Sequence, residues 1–140
     1  MNYSELIQLY FERSNALQAY WTLYVVIVGG LLAFSSLRKQ PAALTTLIVS
    51  VLFGLFAYEN HGAIQVATEQ RFATLETIKA SEGTSADVAR LRESLEPTLR
   101  PASSGAVMMT HLVSDLLTIA GLWAMEMRRR KLHDAATAAA

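Results

Sequence analysis

The chain contains no cysteine, and this absence excludes several kinds of chemistry. Disulfide bonds, thiolate metal sites and cysteine nucleophiles all require that residue. Charge is also scarce, because Asp, Glu, Lys and Arg make up only 17% of the 140 residues. The 12 basic and 12 acidic residues cancel, so the charge balance gives no indication of a nucleic-acid partner.

The scarcity of charge is concentrated in three long apolar runs. Ser14 to Leu37 has no charged residue, Gln40 to Tyr58 has none, and Gly105 to Met125 has one, Asp115. A hydrocarbon core about 30 Å thick needs about 20 mostly apolar helical residues to cross it. A soluble domain of this length has too little interior to bury three such helices. We therefore predict an all-α polytopic membrane protein with three long transmembrane helices and a small extramembrane helical cap.

The segments between the apolar runs are also predicted to be helical. No proline or glycine occurs before Gly29, so the N-terminal segment is expected to continue into the first span. The polar stretch after Tyr58 keeps apolar residues at helical spacing, which predicts that the second helix extends beyond the membrane. The cap is too small to fold alone and is expected to pack on residues 3–19. The predicted segments are an N-terminal amphipathic helix (1–19), first span (20–37), second span (42–58), cap (59–104), third span (105–127) and basic tail (128–140).

Basic residues at the ends of the spans predict the orientation. With three spans, the turn after the first span and the C-terminal tail lie on the same side of the membrane. The positive-inside rule makes that side cytoplasmic, with the N-terminus and the cap outside and a bacterial inner membrane as the location. The tail cluster could also bind anionic lipid, although its role in orientation explains it equally well. The basic residues in question are Arg38, Lys39, Arg128, Arg129, Arg130 and Lys131.

His111 and Asp115 are the main anomaly in the apolar runs. A charged Asp near the centre of a spanning helix costs about 2.5–3.5 kcal/mol on insertion scales. Asp115 lies about 15 Å along the helix from Gly105, close to the expected midplane. His111 lies one turn earlier on the same face, with Ser114 and Thr118 beside it. This face is the predicted intramembrane polar site.

Four roles fit this face. Asp115 could be a protonated, structural hydrogen-bonding group. Together with His111 it could line a path for cations or protons. The pair could chelate a metal, with Glu59, Asn60 or His61 as further ligands, or His111 could bind a haem or a quinone. The sequence requires no cofactor and leaves the four open, with the structural role favoured.

Three spans alone do not easily enclose a buried Asp and His, so we predict a homo-oligomer or a subunit of a larger membrane complex. Small residues that permit close helix approach are Gly29, Gly30, Gly54, Ala120 and Gly121. Glu126 and Asp134 are expected to be local salt partners of the basic tail with little energetic consequence.

The leading functional hypothesis is a structural or interaction subunit of a membrane assembly in the lipid bilayer. One alternative is a cation or proton channel whose pore presents Asp115 and His111. Another is a sensor whose external cap binds a ligand or partner. No G-x-S-x-G, P-loop, G-x-G-x-x-G or H-E-x-x-H motif occurs, so we predict that the chain is not an enzyme.

Overall fold

The structure is a computed structural model that describes residues 2–81, 86–99 and 101–139. All the regular structure in these ranges is helical. The elements are α1 (Tyr3–Leu37), α2 (Ala43–Ala80), α3 (Ala86–Leu95), a single 3₁₀ turn (Glu96–Thr98) and α4 (Ser104–Ala138).

Three of these helices are membrane spans. Among the described residues, α1, α2 and α4 are each long and apolar enough to cross a bilayer. The predicted class, an all-α membrane protein with three long spanning helices and a short helical segment, is therefore confirmed. Both predicted helix continuations are confirmed as well, because α1 is one helix of 35 residues and α2 continues past Tyr58 to Ala80.

The chain divides into two compact units. We call the first the cap unit, Met1–Trp21 with Gly62–Met108, and the second the span unit, Thr22–His61 with Met109–Ala140. The limits of the cap unit lie within a few residues of the predicted limits of the cap and the N-terminal helix.

The cap unit has an apolar core of its own. Tyr10 and Leu6 of α1 pack with Ile78 and Leu75 of α2 and with Leu99, which follows the 3₁₀ turn. Ile78 is fully buried. This core confirms that the cap packs on residues 3–19.

Two arginines join the elements of the cap unit. The Arg71 guanidinium lies 5.1 Å from the ring centroid of Tyr10 and donates to its hydroxyl at 3.1 Å. Arg92 of α3 donates to the carbonyls of Lys79, at 3.1 Å, and Ser81. Because these carbonyls lie at the C-terminal end of α2 and lack intrahelical partners, Arg92 satisfies the helix end and holds α3 against it.

The span unit is polar inside and apolar outside, the reverse of a soluble domain. Large apolar side chains such as Leu117 and Val25 are 67% and 63% exposed. This arrangement is stable only where the surrounding solvent is itself apolar, as it is in a lipid bilayer. The buried polar residues of this unit are Ser35, Thr46, Ser50, Asn60, His111, Thr118, Glu126 and Arg129.

Candidate functional site in the span unit

One face of α4 carries four of the eight buried polar residues just named for the span unit. Five of its residues are buried, namely His111, Thr118, Leu122, Glu126 and Arg129. These positions recur at steps of three, four or seven residues, the spacing of a single helical face, and Asp115 falls on the same face. Leu122 lies between two polar groups of residues, which we call the His111 cluster (Tyr24, Asn60, His111, Asp115) and the Glu126 cluster (Ser35, Arg38, Ala42, Thr46, Glu126, Arg129, Arg130).

The His111 cluster connects three helices by hydrogen bonds. The Nδ1 atom of His111 lies 2.9 Å from Asp115 Oδ2, and its Nε2 atom lies 3.2 Å from Asn60 Oδ1 of α2. The Tyr24 hydroxyl of α1 donates to Asp115 Oδ1 at 2.8 Å. Oxygen atoms of Asp115 and Asn60 therefore face both ring nitrogens of His111, so the imidazole is held from two helices.

Aromatic rings pack around the His111 imidazole. The Tyr24 ring centroid lies 4.5 Å from that of His111, and the His61 centroid lies 5.2 Å away on the α2 side. Phe53 extends the aromatic packing, 6.3 Å from Tyr24. As a result His111 is only 1% exposed.

The expectation that three spans do not easily enclose an Asp and a His was wrong. Tyr24 and Asn60 reach the pair from the other two helices, leaving the side chain of His111 1% and that of Asp115 18% exposed. The enclosure of this pair therefore requires no second chain.

Of the remaining residues of the predicted site, Ser114 and Thr118 contact the His111 cluster, because their hydroxyls interact with that of Tyr24. The Ser114 hydroxyl donates to the carbonyl of Thr110 at 2.8 Å, and the Thr118 hydroxyl donates to the carbonyl of Ser114 at 2.7 Å. Such bonds satisfy hydroxyls within their own helix. Asn60 and His61 meet His111, whereas Glu59 is exposed. Within the described ranges, no three His, Asp or Glu side chains are close enough to hold a metal ion.

The Glu126 cluster is centred on a carboxylate with no exposed surface. Glu126 accepts hydrogen bonds from the Ala42 N–H at 2.9 Å and the Thr46 hydroxyl at 3.2 Å. It also accepts from Arg129 at 3.1 Å and Arg130 at 3.3 Å. Because Ala42 directly precedes α2, the carboxylate lies at the positive end of that helix, where a negative charge is favoured.

Two arginines connect this carboxylate to the end of α1. Arg129 Nη1 donates to the Ser35 carbonyl at 2.6 Å. Arg38 donates to the Thr46 hydroxyl and the Ala42 carbonyl, both at 3.2 Å, and its guanidinium lies 3.8 Å from Glu126. The Glu126 cluster therefore joins the end of α1, the start of α2 and the last third of α4.

The sequence analysis did not predict that Glu126 is buried. The expected local pairing of Glu126 with the basic tail is confirmed by its ion pairs with Arg129 and Arg130. Its complete burial was not expected, and Asp134 is exposed. The signal available in the sequence was the position of Glu126 on the same helical face as His111 and Asp115, one turn after Leu122.

The small residues predicted to allow close helix approach differ in their surroundings. A Cβ at Gly121 would lie 3.5 Å from the Leu32 side chain, an ordinary van der Waals contact, so Gly121 faces α1. A Cβ at Gly29, Gly30 or Gly54 would meet nothing within 4 Å. Ala120 is exposed.

Comparisons with models of protein families, with curated proteins and with solved structures find no match to this chain. What the two clusters can do chemically is therefore inferred from their geometry alone. The His111 cluster pairs an imidazole with a carboxylate, and the Glu126 cluster gathers basic groups around one acid.

Replacing Glu126 tests the role of its cluster. We expect Glu126→Ala to lower the free energy of unfolding by about 3–5 kcal/mol, because it leaves buried guanidinium groups without their carboxylate. Glu126→Gln retains an acceptor and is expected to cost less. Chemical denaturation in mixed detergent measures both values. Asp134→Ala is the matched control, since it removes an exposed acid from the same helix, and equal losses for the two alanine variants would contradict a central role for Glu126.

Proposed function

We propose that this protein is a structural or interaction subunit of a membrane assembly. The structural part of this proposal is supported by the bonding of the intramembrane ionisable groups to one another and to neighbouring helices of the same chain. Asp115 and His111 are engaged by Tyr24 and Asn60 of the same chain. Polar groups paired in this way stabilise helix association in lipid, which is what a structural role for the pair requires.

The outward face of α1 supports association with another membrane helix. Gly29 and Gly30 are both exposed, and neither would bring a Cβ within 4 Å of any neighbour. Val26 and Ala33, about one turn to either side, are exposed as well. Because glycine lets two helix backbones approach closely, we propose that this face meets a second copy of the chain or another membrane subunit.

The mass of the complex extracted into nanodiscs tests this proposal. We expect wild-type protein to be heavier than one 15.4 kDa chain, as a homo-oligomer or with a co-purifying membrane protein. Gly30→Leu should release the single chain, because its side chain occupies the surface where the partner backbone would lie. Mass photometry or native mass spectrometry reads the result.

Ala124→Leu is the control. Ala124 is an exposed small residue on α4 and is not one of the predicted close-approach positions, so this variant should keep the wild-type mass. Circular dichroism should show unchanged helix content in both variants. A wild-type complex of one chain without a partner would overturn the proposal.

A cation or proton path is the alternative that the geometry also favours. Its specific support is the continuous series of hydrogen-bonding groups from Asn60 through His111 and Asp115 to Tyr24. Proton flux in reconstituted vesicles that disappears in Asp115→Asn, with the mass of the complex unchanged, would favour conduction over the structural role.

We further propose that the chain lies in a bacterial inner membrane with its C-terminus in the cytoplasm. The support is the basic character of the α1–α2 turn and of the end of α4, since basic residues favour the cytoplasmic side. Single cysteines at the exposed positions Glu5 and Ala136 test it, because the chain has no cysteine of its own. In intact spheroplasts, an impermeant maleimide should label Glu5→Cys but not Ala136→Cys, and the reverse pattern would contradict the orientation.

A further inference from the structure

The Glu126 cluster contains more positive than negative charge. Three guanidinium groups, those of Arg38, Arg129 and Arg130, lie within 4 Å of one carboxylate. Glu126 can neutralise only one of them. The excess positive charge lies where the Arg38 and Arg129 side chains are only 16% and 9% exposed. Water therefore solvates this charge incompletely.

The exposed Arg130 guanidinium is available to a further acceptor, and one buried donor of Arg129 is unsatisfied. The Arg129 Nε atom is buried and has no hydrogen-bond partner. Arg130 donates to Glu126 through Nε, while its side chain is 49% exposed. A guanidinium presents its donors in a planar fork that matches the oxygen atoms of a phosphate group. An anion with several oxygen atoms therefore fits this cluster.

The surroundings of the cluster distinguish between the possible sources of such an anion. Leu37 and Leu44, which flank the α1–α2 turn, are 80% and 70% exposed, and Met127 is 55% exposed. The Arg38 guanidinium itself lies 5.9 Å from the ring centroid of Phe34, a half-exposed aromatic residue. The basic groups thus adjoin a surface that acyl chains would cover, an arrangement suited to a molecule with a phosphate headgroup and an apolar body.

We propose that Arg38, Arg129 and Arg130 form a binding site for the phosphate headgroup of an anionic phospholipid, whose acyl chains lie on the adjoining apolar surface. The site differs from a general attraction of basic residues to a negative leaflet, because it depends on guanidinium groups fixed by Glu126. It would make the packing of the three spans at this end sensitive to lipid composition.

Lipid titration of the full-length protein in detergent tests the site, with retained adducts counted by native mass spectrometry. We expect phosphatidylglycerol to bind more tightly than phosphatidylcholine, which has the same phosphate but no net charge. Arg130→Gln should weaken phosphatidylglycerol binding about fivefold, the size expected for one base near an anionic headgroup. Its half-exposed side chain makes this the variant that least disturbs the fold.

Arg128→Gln is the matched control, because it removes the same charge from an exposed neighbouring position. Binding within twofold of wild type is expected for this variant, and unchanged thermal stability in both variants shows that the fold is intact. Equal weakening by both substitutions would overturn the proposal in favour of non-specific attraction. Equal binding of the two lipids would overturn it as well. Inorganic phosphate is the soluble probe, and its displacement of bound phosphatidylglycerol at millimolar concentration would assign the site to free phosphate instead.

Discussion

Lipid offers no hydrogen-bond partners, so each polar group within a membrane span must find its partner in the protein. This constraint accounts for the arrangement of the span unit. Many of its large apolar side chains face outward, while hydroxyl, amide, imidazole, carboxylate and guanidinium groups meet inside. Each of the two clusters takes partners from all three helices, so the same bonds that satisfy the polar groups also determine which helix faces meet.

The two clusters differ in how their buried polar groups are paired. The His111 cluster pairs one imidazole with one carboxylate, and the rings of Tyr24 and His61 pack against that imidazole. The Glu126 cluster instead has surplus positive charge at the end of the spans. There a lipid headgroup or water can accept the remaining hydrogen bonds of the arginines. Between them Leu122, 1% exposed, separates the two polar regions on α4. A continuous polar path along this face would have to bypass that side chain.

The sequence was sufficient to predict the fold class and the long helices, because lack of charge over about 20 residues and apolar spacing are local properties. It also placed His111 and Asp115 on one face. It could not identify their partners, since Tyr24 lies 91 residues from Asp115 and Asn60 lies 51 from His111. Periodicity indicates which face of a helix is buried but not which side chains of other helices meet it. For the same reason Glu126 resembled a surface residue beside a basic tail.

The central claim is that the polar interior is closed by bonds within the chain and is not a water-filled path. Thr118 is 4% exposed and lies on the interior face, whereas its neighbour Leu117 is 67% exposed on the outer face. The most direct measurement is the reaction of Thr118→Cys and Leu117→Cys with a charged, water-soluble methanethiosulfonate reagent in native membranes. A closed interior predicts that neither cysteine reacts until the protein is denatured. Rapid reaction at position 118 but not at position 117 would contradict it and show that water reaches the His111 cluster.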